Sequence, residues 1–314
     1  MNNKNDEIKV KFWGVRGSYP VANKDFLEYG GNTACVEVNA AGHTIILDGG
    51  TGIIELGDKI FKEHILSADN VFERTPINVT MILSHIHQDH IQGLNFFKPM
   101  SVITTRLALF GYSGFESDLN ETLSELIYGK SFPINLYDVT ADYSMNDITE
   151  SDIVILNKNN PEPVMKRITS INDVTPKGEE VIISCMKSNS HPNFGVMCFK
   201  IAYKNKSVVY ATDTECYYGG SKKIELFAKD ADLLIHDAQY TTEDYLSVVS
   251  PKQGYGHSTF DMAAETANSA NVKRLACFHF EPSYNDDKLK KIETELNIKN
   301  KNYFLAKEGM EICI

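Results

Sequence analysis

Apolar and polar residues alternate from Ile8 to Trp13, the pattern of a strand buried on one face. The glycine-rich stretch from Gly14 to Thr33 predicts a loop. Cys35–Val38 and Thr44–Leu47 predict a hairpin around Asn39-Ala-Ala-Gly42. Asp48-Gly-Gly-Thr-Gly52 then turns into a helix with Ile53, Ile54, Leu56 and Ile60 on its apolar side. Val79–Leu83 is a short apolar run of the buried-strand type. From Leu107 to Tyr128 the spacing is helical. The stretch beyond it is polar and without strong period, so about 105–160 reads as an insertion that covers something. Strands resume at Glu180–Met186, at Val196–Tyr203 paired with Ser207–Ala211, at Leu233–His236 and at Arg274–His279, and Tyr303–Ala306 and Met310–Cys313 close the chain. Two groups of strands with helices among them suggest two mixed sheets packed face to face. Periodicity alone does not separate that arrangement from a doubly wound sheet.

Composition narrows the class. The 314 residues are 42% hydrophobic and 23% charged, an ordinary globular balance. A net charge of −11 disfavours a general binder of phosphate backbones. No apolar run reaches the ~18 residues of a membrane span. Met1–Glu7 is polar and carries no signal-peptide core, so the expected location is the cytoplasm. The six cysteines form no C-x-x-C pair, and most lie in apolar runs, which reads as buried reduced thiols.

Candidate chemistry concentrates in Ser84-His85-Ile-His87-Gln-Asp89-His90, directly after the Val79–Leu83 strand. His85 and His87 lie two apart and point the same way from an extended chain. Asp89 and His90 follow at the turn. Imidazole and carboxylate are the ligands zinc takes where it activates water.

His-x-His-x-Asp-His after a hydrophobic strand resembles the metallo-β-lactamase superfamily, an αββα sandwich of two mixed β-sheets with outer helices that usually holds two metals. Ser190-His191-Pro-Asn-Phe-Gly195, Tyr210-Ala-Thr-Asp213-Thr and Cys277-Phe-His279 resemble that family's later motifs. The resemblance implies one metal on His85, His87 and His191 and a second on Asp89, His90 and His279, with Asp213 bridging. Zinc is expected first, with manganese or iron as alternatives. Ligands spread from 85 to 279 must converge, so residues 1–314 are expected to form one domain.

Asp232–Tyr240 and Gly254-Tyr-Gly-His257-Ser258-Thr259 resemble paired loops of the branch containing tRNase Z and cyclic-nucleotide phosphodiesterases. The resemblance implies that His257 is a proton donor oriented by Asp237, which is one methylene shorter than that branch's glutamate. Ser258 or Thr259 can at the same time cap the helix Phe260–Ala270. It also makes Asp89 a candidate proton acceptor, and His236 a supporting group. His43 and His64 read as surface residues. Arg16 and Asn32, in an opening that resembles bacterial members, and Lys130 are candidate substrate contacts, and Phe96, Phe97, Tyr128, Lys130 and Phe132 are expected to roof a small pocket.

In tRNase Z a long basic arm separates the third-motif histidine from the bridging aspartate. Here one hairpin fills the interval from His191 to Asp213. That departure and the negative charge favour a small phosphodiester, a 3′,5′-cyclic nucleotide above others, with nucleic acid disfavoured. A tRNase Z-like endoribonuclease stays open, since a homodimer partner could add a binding surface. So does a hydrolase of lactones, thioesters or cyclic phosphates on the same fold.

Overall fold

The computed structural model describes residues 7–112, 114, 118–129, 132–217 and 219–314. Sheet one begins with β1 (Lys9–Gly14), β2 (Cys35–Ala40), β3 (His43–Leu47) and β4 (Ile77–Ile82), continues through β5 (Thr105–Gly111) and ends at β6 (Asp142–Asp147). Sheet two takes β7 (Asp152–Asn157), β8 (Asn160–Arg167), β9 (Glu180–Ser188), β10 (Val196–Tyr203), β11 (Lys206–Ala211), β12 (Leu233–Asp237), β13 (Leu275–Phe278) and β14 (Tyr303–Leu305). The last strand, β15 (Glu311–Cys313), returns to sheet one beside β1, giving sheets of seven and eight strands. Both sheets are mixed. β3 through β6 run parallel in the first, and β11 through β14 in the second.

Alternation along the strands decides what each face buries. In β3, Ile45 and Leu47 face inwards and join Ile183, Phe199 and Ile201 of sheet two in the main core. Ile46 points the other way, and with Met81, Leu107 and Leu109 it packs against α1 (Ile53–Leu66). The short helix α2 (Gln88–Ile91) follows β4, and α3 (Leu119–Leu126) adds Leu119 and Leu123 to the same outer layer. Outside sheet two lie α4 (Lys222–Phe227), α5 (Thr242–Tyr245), α6 (Phe260–Ser269) and α7 (Asp286–Lys299). Among these, α6 packs Ala263, Ala264 and Ala267 into the core, and α7 packs Leu289, Ile292 and Leu296. No helix of the described residues is long and apolar enough to cross a membrane. This is the metallo-β-lactamase fold.

Residues 105–160, expected as an insertion without strong period, add strands to both sheets. Leu107–Gly111 lies in β5, and the helix is confined to Leu119–Leu126. β6 and β7 then extend one sheet each. β6 reads as loop because its sequence, Asp-Tyr-Ser-Met-Asn-Asp, is half solvated on both faces. Its conformation comes from the parallel ladder offered by β5. β8 carries Pro161 and Pro163, two apart, so their missing N–H groups fall on one side of the strand, as an edge tolerates.

The expected roof is displaced as well. Phe97 is buried in the layer between sheet one and α1. Phe96, Tyr128 and Phe132 stack edge to face beside it, around a cavity of about 410 Å3 that includes Ile54 and Asp58 of α1. None of the residues lining it is a candidate ligand. Lys130 lies outside the described residues.

The two inner faces make most of the core, so Phe199→Ala is expected to cost about 3–5 kcal/mol in equilibrium denaturation, whereas Val248→Ala, at an almost fully exposed side chain, stays within about 0.5 kcal/mol.

Candidate metal centre

Three adjacent parallel strands deliver three of the site's residues. Ala211 is level with His236 and Asp237 with Phe278, so Asp213, Asp237 and His279 emerge together at the carboxyl ends of β11, β12 and β13. β10 runs antiparallel to β11, which places the β9–β10 connection, with His191, at the same end. From sheet one, β3 and β4 run parallel with Leu47 level with Ile82, so Asp48 meets the segment Ser84–His90. Among the described residues, five of the nine non-glycine residues with positive φ stand here: Ser18 (62°), Asp48 (61°), Asn193 (65°), Asp213 (51°) and His279 (67°). Such backbone clusters where side chains must be aimed.

The donor atoms divide into two sets around one carboxylate. Asp213 Oδ1 lies 3.7 Å from His85 Nε2 and 3.7 Å from His191 Nε2, while His87 Nδ1 lies 2.9 Å from His191 Nε2. Asp213 Oδ2 lies 3.2 Å from His90 Nε2 and 3.3 Å from His279 Nε2. Asp89 Oδ2 completes that side, 3.1 Å from His279 Nε2. Donors that share an ion at about 2.0–2.2 Å stand roughly 3–3.5 Å apart, so both sets have the spacing of a ligand shell.

The donor set fits divalent cations by its own hydrogen bonding. His85 Nε2 is buried and has no hydrogen-bond partner among the described residues. Ser84 Oγ donates to Asp48 Oδ2 (2.8 Å), so it accepts from His85 Nδ1–H (3.0 Å) and leaves the lone pair on Nε2. Burial, reinforced by His90, holds His85 well below the usual imidazole pKa. Burial likewise lowers His87 and His191 and keeps them neutral, as ligation needs. For Asp213, burial works against the charge, but His279, His90 and His85 outweigh it and hold the carboxyl well below its usual range. His90 is the converse case. Burial opposes its charge, yet Asp213, Asp89 and Asp48 together raise it well above the usual value.

Asp48 is the principal residue that sequence reasoning passed over as a site group. It accepts from Ser84 N (2.7 Å), Ser84 Oγ, His90 Nδ1 (2.8 Å) and Tyr210 OH (2.7 Å), and so orients two ligands. Its signal was the aspartate directly after a strand in Asp48-Gly-Gly-Thr-Gly52. Ser18 is another, donating its backbone N–H to Asp89 Oδ2 (2.7 Å). Gly17 beside it lies against His279, where a Cβ would come within 2.5 Å of the ring.

His257 stands at the edge of the cluster. Its Nδ1–H donates to Asp237 Oδ2 at 2.7 Å, which leaves Nε2 outside that bond. The shorter aspartate reaches because Asp237 Oδ1 also accepts from Ser258 N (2.9 Å), which draws the loop onto the end of β12. The imidazole stacks on that of His279, with centroids 5.0 Å apart. Burial opposes its charge, but Asp237, then Asp213 and Asp89, raise its pKa to about 9. Thr259, not Ser258, caps α6 through Met262 N.

Glu215, which no sequence motif flagged, anchors this loop. Its buried carboxylate accepts from Tyr245 OH (2.6 Å), Gly254 N (2.8 Å) and Gly256 N (2.9 Å). Gly256 O in turn accepts from His191 Nδ1 (3.1 Å).

Two candidate substrate contacts are engaged elsewhere. Arg16 is fully buried, with Nε donating to Gly30 O (2.7 Å) and Nη1 to Tyr284 O (2.6 Å), and burial lowers its pKa to about 10. It ties the opening loop to the segment after His279. Asn32 Nδ2 donates to Glu308 Oε2 (3.2 Å). His236 is buried between Asp237 O and Cys216 Sγ, away from the ligand sets. His64 is buried too, bonded to Thr75 O, and is not a surface residue.

Protein prepared without chelator is expected to carry close to two equivalents of zinc by elemental analysis, and loading is expected to weaken as pH falls, because His90 must release a proton to bind. Asp48→Asn is expected to weaken zinc affinity about 10–100-fold in a chelator competition, with far-ultraviolet circular dichroism unchanged.

Residues 43–280 match the sequence profile of the Beta-lactamase superfamily domain. A ribonuclease Z of Picrophilus torridus is 26% identical over 331 aligned positions that cover 98% of this chain and 96% of the relative. Among solved structures, the metallo-beta-lactamase fold protein YhfI from Bacillus subtilis superposes with a TM-score of 0.64 at 19% identity, over 98% of this chain and 100% of that one. Zn2+-bound PqqB from Methylobacterium extorquens superposes with a TM-score of 0.63 at 11% identity, over 97% and 99%. The profile spans well over half of the residues, including all seven candidate ligands, and the chain belongs to the metallo-β-lactamase superfamily.

Proposed function

We propose that this metal-dependent hydrolase is a phosphodiesterase with ribonuclease Z chemistry, acting on an RNA phosphodiester. The observation that carries the reading is the His257–Asp237 pair beside a two-set donor cluster, in a chain similar over nearly its whole length to a protein named ribonuclease Z. When bound, divalent ions polarise water and phosphoryl oxygen and offset the charge that develops on phosphorus.

The chain's own groups supply the rest. His257 Nε2 delivers a proton to the departing ribose oxygen. Asp237 fixes the tautomer and keeps the imidazole charged until transfer. Asp89, held by Ser18 N, is placed to accept a proton from the attacking water. Burial of the cluster excludes competing solvent.

The ranking drawn from the sequence alone, with a cyclic nucleotide first, is reversed by the relative's name. One observation still favours a small diester as the second reading. β10 and β11 form a tight hairpin, Tyr203 paired with Lys206, which leaves no arm between His191 and Asp213.

Zinc- or manganese-loaded protein is therefore to be offered pre-tRNA, short RNA, cyclic nucleotides and bis-p-nitrophenyl phosphate side by side. Cleavage of RNA above the small diesters is the expected outcome. Turnover of cyclic nucleotides with RNA left intact would establish the second reading. His257→Ala is expected to slow RNA cleavage by ~10²–10⁴-fold and bis-p-nitrophenyl phosphate much less, since nitrophenolate leaves without a proton. Equal losses on both substrates would remove the proton-donor role.

A further inference from the structure

Lys252 is an uncompensated cation beside the proton donor. Many of the chain's surface lysines are paired with acids, as Lys222 is with Glu225, Lys223 with Glu150, Lys273 with Asp232 and Lys288 with Asp244. Among the described residues Lys252 has no carboxylate partner. Its Nζ donates to Ser250 Oγ (3.3 Å) and lies 5.9 Å from the ring centre of Tyr240 and 5.3 Å from that of Tyr255. An ammonium carries three donors, so this setting leaves capacity for an anion.

Its place is set by the same loop that presents His257. Tyr240 is buried, and its ring stands edge-on to the His257 imidazole, with centroids 6.1 Å apart. One tyrosine ring therefore separates the ammonium from the proton donor. Lys252 N donates to Tyr245 O and Tyr255 N to Lys252 O, which closes the turn. Glu215 clamps both ends of that turn through Tyr245 OH, Gly254 N and Gly256 N. The lysine is thus carried on fixed backbone, with its ammonium close to two aromatic rings. Tyr255 keeps its ring more than half exposed, a flat apolar surface next to the charge.

We infer that Lys252, supported by Tyr240 and Tyr255, is a subsite for a second phosphate group of the substrate, adjoining the phosphodiester that is cleaved. The inference rests on the phosphodiesterase reading and deepens it. A substrate that fills the subsite has a phosphate on the nucleotide next to the scissile bond, as an oligonucleotide does and a cyclic nucleotide does not. The exposed face of Tyr255 offers stacking to the base that accompanies that phosphate. The contact is to phosphate and carries no base sequence.

The test compares a dinucleoside monophosphate with the same dinucleotide bearing a terminal phosphate at either end, on zinc-loaded protein. Wild type is expected to prefer a phosphate-bearing form. Lys252→Met is expected to reduce that preference about tenfold, and Lys252→Arg to retain most of it. On longer RNA, Lys252→Met is expected to reduce the salt slope of log kcat/KM by about one. Equal losses on both dinucleotides would show that Lys252 only holds the loop, and would overturn the inference. Should wild type cleave neither dinucleotide nor longer RNA, the phosphodiesterase reading fails. Calorimetric binding of the phosphate-bearing dinucleotide then decides the subsite separately. A roughly tenfold weakening by Lys252→Met supports it, and an unchanged Kd overturns it.

Discussion

A carboxylate with almost no contact with water holds this molecule's active region together. Asp213 is 2% exposed, and a charge buried to that degree costs several kcal/mol unless it is compensated. Its compensation comes from four imidazoles, His85, His90, His191 and His279, which approach it from three separate segments. One of those segments, carrying His85 and His90, leaves sheet one, and two leave sheet two. The sandwich must therefore close with both sheets in register at one end before the charge is satisfied. Strand order, the parallel ladders and the inward apolar faces are the means by which that closure is achieved.

Much of this was legible because the ligands sit where periodic patterns end. The apolar run Val79–Leu83 gives way to His85, and Tyr210-Ala gives way to Asp213, so a strand and its chemical payload share one local signal. The middle of the chain was illegible for the opposite reason. β6 and β8 have little apolar content and take strand form from their neighbours' ladders, β6 from β5, which lies far away in the sequence, and β8 from the adjoining β7. The aromatics Phe96, Phe97 and Phe132 were misplaced for a related cause, since the sequence shows that they are apolar but not on which side of which sheet they lie. Arg16 looked like an anion contact because a lone arginine in a glycine-rich loop has no visible partner. Its partners are main-chain carbonyls, one of them from residue 284, and carbonyls carry no sequence signature.

Supporting carboxylates divide the labour in a way the ligand motifs do not reveal. Asp48 orients the histidines of sheet one, Asp237 orients His257, and Glu215 orients backbone instead of a side chain. Because Gly256 links Glu215 to His191, the loop that carries His257 and one candidate ligand share a mechanical connection.

The left-handed backbone at Asp48, Asp213 and His279 limits how this site can change over time. Aspartate and asparagine tolerate that conformation, whereas most other residues lose roughly 1–2 kcal/mol there. Evolution can therefore exchange Asp for Asn or Gly at two of these positions and alter the chemistry while the chain path survives. Substitution by a β-branched residue would disturb path and chemistry together. The shape of the turn thus outlasts the function it serves, and a descendant that had lost its metals would still be expected to show Asp, Asn or Gly at 48 and 213.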